Sequence, residues 1–263
     1  PMSAPALVVA DLNIISGAPK FLMVSGIADI LSKYTSIADW KMAALVSGEY
    51  YCERVAALAQ EALDMMISCA DTLRRGGAPD FEAMTMAQML SGLTMQLLGN
   101  SRAASGAEHL IAHLVEMKPP RFENAHGIHG ECVGVGTVLC AAEYRRMARK
   151  TPKARPFEPL SGGWIREKFG YLAEGIIEEN KNDVLASFEP QNIVDNWQAI
   201  RDIVSAIPPA EELAALFKDL GGKYRLPDIG IDEALEPEIL DISAAIRNRL
   251  TLARMRRVLD FEE

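Results

Sequence analysis

A mostly α fold is predicted for this chain by three observations. Apolar residues recur at steps of three and four along most of its length, glycines and prolines punctuate those runs, and only one short stretch has strand composition. That stretch comes first. Leu7, Val8, Val9, Ala10, Asp11 and Leu12, after Pro5 and before Asn13, read as a β-strand. A lone strand cannot satisfy its own backbone hydrogen bonds, so it calls for a sheet on another chain or in a segment that precedes it. Next, Val55, Leu58, Ala62, Met66, Cys69 and Leu73 draw one stripe along a long helix closed by Gly76 and Gly77. A helix over 80–98 begins after Pro79 with Asp80 as its cap, and Met84, Met86, Met89, Leu90 and Met95 give it an apolar face suited to core filling. Further helices are expected at 104–117, 131–150, 168–180, 191–206, 210–220 and 237–259. The proline-rich stretch 151–163, with Pro152, Pro156 and Pro159, is expected to be a loop.

Composition narrows the function classes. With 263 residues and 49% hydrophobic content the chain can bury a sizeable core. A formal net charge of −9, from 27 basic and 36 acidic residues, argues against a nucleic-acid partner. The one basic stretch, Arg145 to Arg155, reads as a solvated helix end. Cys52, Cys69, Cys132 and Cys140 form no CxxC pair and read as reduced residues of a cytoplasmic protein. No apolar run is long enough to span a bilayer and no leader is visible, so no membrane partner is expected.

The sharpest signal is in the histidines. All four, His109, His113, His126 and His129, fall within 21 consecutive positions. His109 and His113 are four apart and share a helix face, and a loop with Pro119 and Pro120 can return His126 and His129 past it. Imidazoles in this density suit a borderline-soft divalent ion, which also wants a carboxylate oxygen. HxxxH without a glutamate after the first histidine is not the zinc-protease motif. Residue 110 is leucine, and Glu108 precedes His109, pointing off the ligand face. Spacing alone does not identify the carboxylate.

The segments SGIADILSKYTSIADWKMA (25–43), GNSRAASGAEHLIAH (99–113), HGECVGVGT (129–137) and RNRLTLARM (247–255) carry a resemblance. Together they resemble the iron-type alcohol dehydrogenase and dehydroquinate synthase-like group, in particular the sn-glycerol-1-phosphate dehydrogenases, including the bacterial arabinose-operon type. The resemblance implies a multi-helix C-terminal domain of the dehydroquinate synthase-like fold. It also implies that Asp29, His109 and His129 hold a divalent ion and are the catalytic residues, with zinc expected and nickel or iron as alternatives. His113, and Asp29 as well, would contact substrate. Asp39, before Trp40, matches a family pair that reads as structural, and His126 has no role in the family. Ala103 and Ala104 stand where the family more often has a proline.

The same resemblance implies an α/β nucleotide-binding domain ahead of the helical half, and no GxGxxG after a strand occurs in this chain. The GVGT at 134–137 lies in a helical stretch. Residues 1–22 then read as strand and linker from that missing domain, and 23–263 as the helical metal- and substrate-binding domain. No cofactor-binding residue is expected here, and NAD(P) would be bound by the nucleotide-binding domain in cis or in trans. The implied reaction interconverts sn-glycerol-1-phosphate and dihydroxyacetone phosphate, by a homo-oligomer. Two alternatives remain: a glycerol or other polyol dehydrogenase of the same group, and an inactive helical metal-binding module. A lyase of the dehydroquinate synthase type ranks below both.

Overall fold

The computed structural model describes residues 5–262. Its helices are α1 (Leu12–Ser16), α2 (Lys20–Leu31), α3 (Lys33–Ser47), α4 (Glu53–Arg74), α5 (Phe81–Leu98), α6 (Ala107–Met117) and α7 (His129–Ala148). They continue as α8 (Gly162–Phe169), α9 (Ala173–Glu179), α10 (Gln191–Asp195), α11 (Trp197–Ser205), α12 (Ala210–Leu220), α13 (Glu236–Ser243) and α14 (Leu252–Met255). The predicted mostly α fold is thus the observed one. Among the described residues the only sheet is an antiparallel pair, β1 (Thr151–Ala154) with β2 (Leu259–Glu262), in the register Pro152 opposite Phe261 and Ala154 opposite Leu259.

Several expectations need correction. The predicted leading strand is not formed. Residues 7–11 carry no regular secondary structure, Leu12 opens α1, and Leu7, Val8 and Val9 are exposed. The apolar run has strand composition but no neighbour to pair with, and composition alone does not make a ladder. The loop expected at 151–163 begins instead with β1, whose Pro152 is buried. The helix expected over 237–259 is broken. α13 stops at Ser243, a turn runs to Leu250, and Thr251 caps α14 with its hydroxyl before the chain pairs as β2. The stretches 168–180 and 191–206 are each interrupted, by a 3₁₀ turn at Gly170–Leu172 and at Asn196 respectively. On α5, Met84, Ala87, Ser91 and Thr94 are buried, whereas Met86 and Met95 are exposed and do not fill the core as expected. Asp80 does cap that helix, accepting from the Ala83 amide at 2.9 Å. All four cysteines are free, and three of them, Cys69, Cys132 and Cys140, are buried.

Three helices position the site. α7 packs along both α2 and α6, and two of its glycines permit the approach. A Cβ on Gly130 would lie 2.1 Å from the Ser25 carbonyl oxygen of α2, and one on Gly136 would lie 2.5 Å from the Glu108 carbonyl oxygen of α6. Real side chains do not occupy such positions, so the backbones touch where a methyl group would hold them apart. This accounts for the GVGT run: its second glycine serves helix packing, not phosphate binding. Gly130→Ala is expected to lower stability by roughly 1–3 kcal/mol through overpacking. Gly92→Ala, in α5, meets nothing within 4 Å and is expected to raise stability by up to about 1 kcal/mol. Urea unfolding of the two variants checks both signs.

Candidate metal centre

Asp29 sits in the last turn of α2, His109 and His113 lie on α6, and His129 opens α7. One donor atom from each of Asp29, His109 and His129 lies within 4.8 Å of the other two. His109 Nε2 is 3.3 Å and His129 Nε2 3.6 Å from the same oxygen, Asp29 Oδ1. That oxygen is buried and accepts no hydrogen bond, since the His109 approach is close without being aligned as one. A buried carboxylate oxygen with no donor, faced by two imidazole nitrogens, has the donor set of a divalent-ion site.

The far side of each of these two histidines is held. His109 Nδ1 meets Glu108 Oε1 at 2.9 Å, and His129 Nδ1 meets Glu116 Oε1 at 2.7 Å. A carboxylate accepting the Nδ1 hydrogen leaves the Nε2 lone pair free and aims it, an arrangement common around metal-bound histidines. Glu108 is fully buried and also takes the Thr35 hydroxyl at 2.6 Å and the Gly106 amide at 2.7 Å. The expectation that Glu108 points off the ligand face holds for its position, but its carboxylate curls back onto the ring of its neighbour. Glu116 was not singled out in the sequence, and Glu108 was noted only as lying off the ligand face. The signal was available in spacing, because Glu116 follows His113 by three and His109 by seven and so shares their helix face.

Burial pulls the His109 pKa down, but the negative carboxylates of Asp29 and Glu108 on either side of the ring outweigh it and raise the pKa to about 9. Burial likewise raises Asp29 and Glu108, yet His109 holds both below the usual carboxylate range. An incoming ion must therefore displace a proton from His109. Lys33, buried one turn after Asp29, is pushed down to about 8 by burial against the pull of Asp29 and Glu108. His113 is pushed down to about 4 by burial and then by His109, so it stays neutral. Its ring centroid lies 6.3 Å from that of His109 and 6.0 Å from that of His129, beside the triad and outside it. It also lines a cavity of about 330 Å³ shared with Arg247, Asn248 and Arg249.

His126 is exposed, with its backbone amide on the Ile229 oxygen at 2.9 Å and its ring near Asn124, and it does not join the triad. Asp39 is fully buried. It accepts from the Tyr144 hydroxyl, from the Ala107 amide at the start of α6 and from the Leu252 amide at the start of α14.

No family model matches the sequence. Curated proteins do. The chain is 28% identical over 249 residues to a glycerol-1-phosphate dehydrogenase (NAD(P)+) of Halalkalibacterium halodurans, covering 95% of this chain and 56% of that protein. A protein of the same name from Geobacillus thermodenitrificans is 29% identical over 250 residues, with the same two shares. Another, from Methanothrix thermoacetophila, is 39% identical over 139 residues, covering 53% of this chain and 38% of that protein. The chain spans about half the length of the curated relatives that it matches along its length. No helix among the described residues is long and apolar enough to cross a membrane. By sequence, the chain is similar to oxidoreductases named glycerol-1-phosphate dehydrogenase (NAD(P)+).

Proposed function

We propose that this chain is the metal- and substrate-binding half of an NAD(P)-dependent dehydrogenase that interconverts sn-glycerol-1-phosphate and dihydroxyacetone phosphate. The observation that carries the reading is the convergence of Asp29, His109 and His129 next to the His113 cavity. Similarity to enzymes of that name along 95% of the chain supports it.

Asp29, His109 and His129 would hold the ion. One oxygen and two imidazole nitrogens suit zinc, nickel or iron(II). A divalent ion there supplies Lewis acidity toward an alcohol or carbonyl oxygen. The chain's own residues do the rest. Glu108 and Glu116 keep the two imidazoles turned with Nε2 inward. Neutral His113 can donate a hydrogen bond to a substrate hydroxyl or accept one from it, and Asp29 would contact substrate as well. NAD(P)+ would supply the hydride acceptor for oxidation of the carbinol carbon, with the hydroxyl proton released to solvent. The nicotinamide would be carried by a nucleotide-binding domain in cis or in trans. Residues 23–263 would form the helical metal- and substrate-binding domain of a homo-oligomer.

The test is elemental analysis of the purified chain beside Asp29→Ala and His113→Ala. Wild type is expected to retain about one divalent ion per chain, Asp29→Ala to lose it, and His113→Ala to keep it. With a nucleotide-binding domain supplied, His113→Ala is expected to raise KM for dihydroxyacetone phosphate more than it lowers kcat. Metal loss in all three proteins, or no dihydroxyacetone phosphate-dependent oxidation of NADH or NADPH, would overturn the reading.

A further inference from the structure

A lysine is rarely buried unless it is paired. Lys33 is 1% exposed, and among the described residues it forms no ion pair. Other buried cations of this fold do: Arg102 meets Glu49 at 2.7 Å and Arg254 meets Asp183 at 2.8 Å. The carboxylates nearest in charge to Lys33 are engaged elsewhere. Asp29 faces His109 and His129, and Glu108 takes His109, the Thr35 hydroxyl and the Gly106 amide. A salt bridge therefore does not account for this lysine.

Its place in the chain ties it to the metal centre from two sides. Lys33 opens α3, and Ser32 between α2 and α3 keeps helical angles, φ −56° and ψ −19°, so Lys33 follows Asp29 by one turn on the same side. The first turn of α3 also reaches α6, where Thr35 donates to Glu108 at 2.6 Å. Its charge is felt there: it helps to hold Asp29 down, and Asp29 and Glu108 oppose the fall that burial imposes on Lys33. Those two carboxylates, one a direct ligand and the other acting through the His109 ring, would feed negative charge toward a bound ion and blunt its Lewis acidity. A fixed ammonium close behind them offsets that charge without taking a coordination position.

We propose that Lys33 is a positioning residue that acts through Asp29 and Glu108, its buried ammonium offsetting their charge so that an ion held by the triad stays strongly Lewis acidic at a cost in affinity. The inference rests on the metal reading above. It differs in sign from a structural role. A lysine that only held the fold would, on removal, loosen the ligands and weaken the ion. A charge-offsetting lysine would, on removal, let the ion bind more tightly and work less well. The ion gains more than its competitor does, because it carries two charges and the proton that it displaces from His109 carries one.

The experiment is zinc titration of the full chain against a competing chelator, for wild type, Lys33→Met, Lys33→Gln and Lys33→Arg. The two neutral variants are expected to bind zinc roughly tenfold more tightly, the scale of one charge acting over several ångströms inside a protein, and Lys33→Arg to match wild type. If Lys33→Met fails to fold, Lys33→Gln decides. With a nucleotide-binding domain supplied and zinc saturating, kcat of the neutral variants for dihydroxyacetone phosphate reduction is expected to fall severalfold; if wild type shows no such activity, the zinc affinities decide alone. Equal or weaker zinc binding in the folded neutral variants would overturn the proposal and leave the metal reading standing. Tightening in Lys33→Arg as well, or an undiminished kcat in the neutral variants, would also overturn it. A wild-type chain that binds no zinc would sink the metal reading and this inference together.

Discussion

His109→Ala is expected to lower divalent-ion affinity by more than about a hundredfold, a bound set by the ~10–100-fold typical of losing only an outer partner of a metal ligand. The variant removes a ligand nitrogen and also the partner of two carboxylates. Asp29 and Glu108 are both held below the ordinary carboxylate range by His109, so without it and without metal both carboxylates lose that partner, with Lys33 left as a nearby cation. Loss of metal should therefore come with loss of stability. Competition against a chelator measures the first and urea unfolding the second. Affinity within a few-fold of wild type would mean that the ion is held elsewhere.

Asp39→Ala is expected to cost roughly 4 kcal/mol, because it strands three buried donors at once. The Tyr144 hydroxyl at 2.8 Å and the Ala107 and Leu252 amides, each at 2.9 Å, all end on this carboxyl group. The loss should depend on pH. Burial, then Glu108, raise the Asp39 pKa from 3.8 to about 7. The folded chain thus keeps a proton that the unfolded chain releases. The stabilisation from that proton is complete below the unfolded value and is lost as pH rises from about 4 to about 7. The stability gap between wild type and Asp39→Ala is therefore expected to be wider at pH 5 than at pH 8, as urea unfolding at the two values would show. A gap that widened with pH would mean that Asp39 is ionised throughout.

Helices α4 to α7 were legible because amphipathic period, Asp80 and Gly76 are local signals, whereas α2, which carries Asp29, was not among the expected helices. The histidine cluster was legible from spacing, but its carboxylate was not. Asp29 lies 80 positions before His109, and nothing in periodicity ties the two together; only resemblance named it. The segment after Ser243 was misread for the opposite reason. Its apolar residues keep a helical rhythm, yet Arg254 draws the Ala244 and Arg247 carbonyls and Asp183 around itself and ends the helix early. The Leu7–Val9 run shows the limit of composition, since strand formation depends on a neighbour that residue type does not provide.

Four polar residues of the centre lie on one helix. α6 contributes Glu108, His109, His113 and Glu116 within nine residues, and it grips His129 of α7 through the last of them. Each residue of an α-helix turns the chain by about 100°. One residue gained or lost between His109 and Glu116 would swing the anchor of His129 a quarter-turn away while leaving His109 in place. Evolution can exchange side chains along this helix far more readily than it can change its length, so the centre works as a ruler graduated in helical turns.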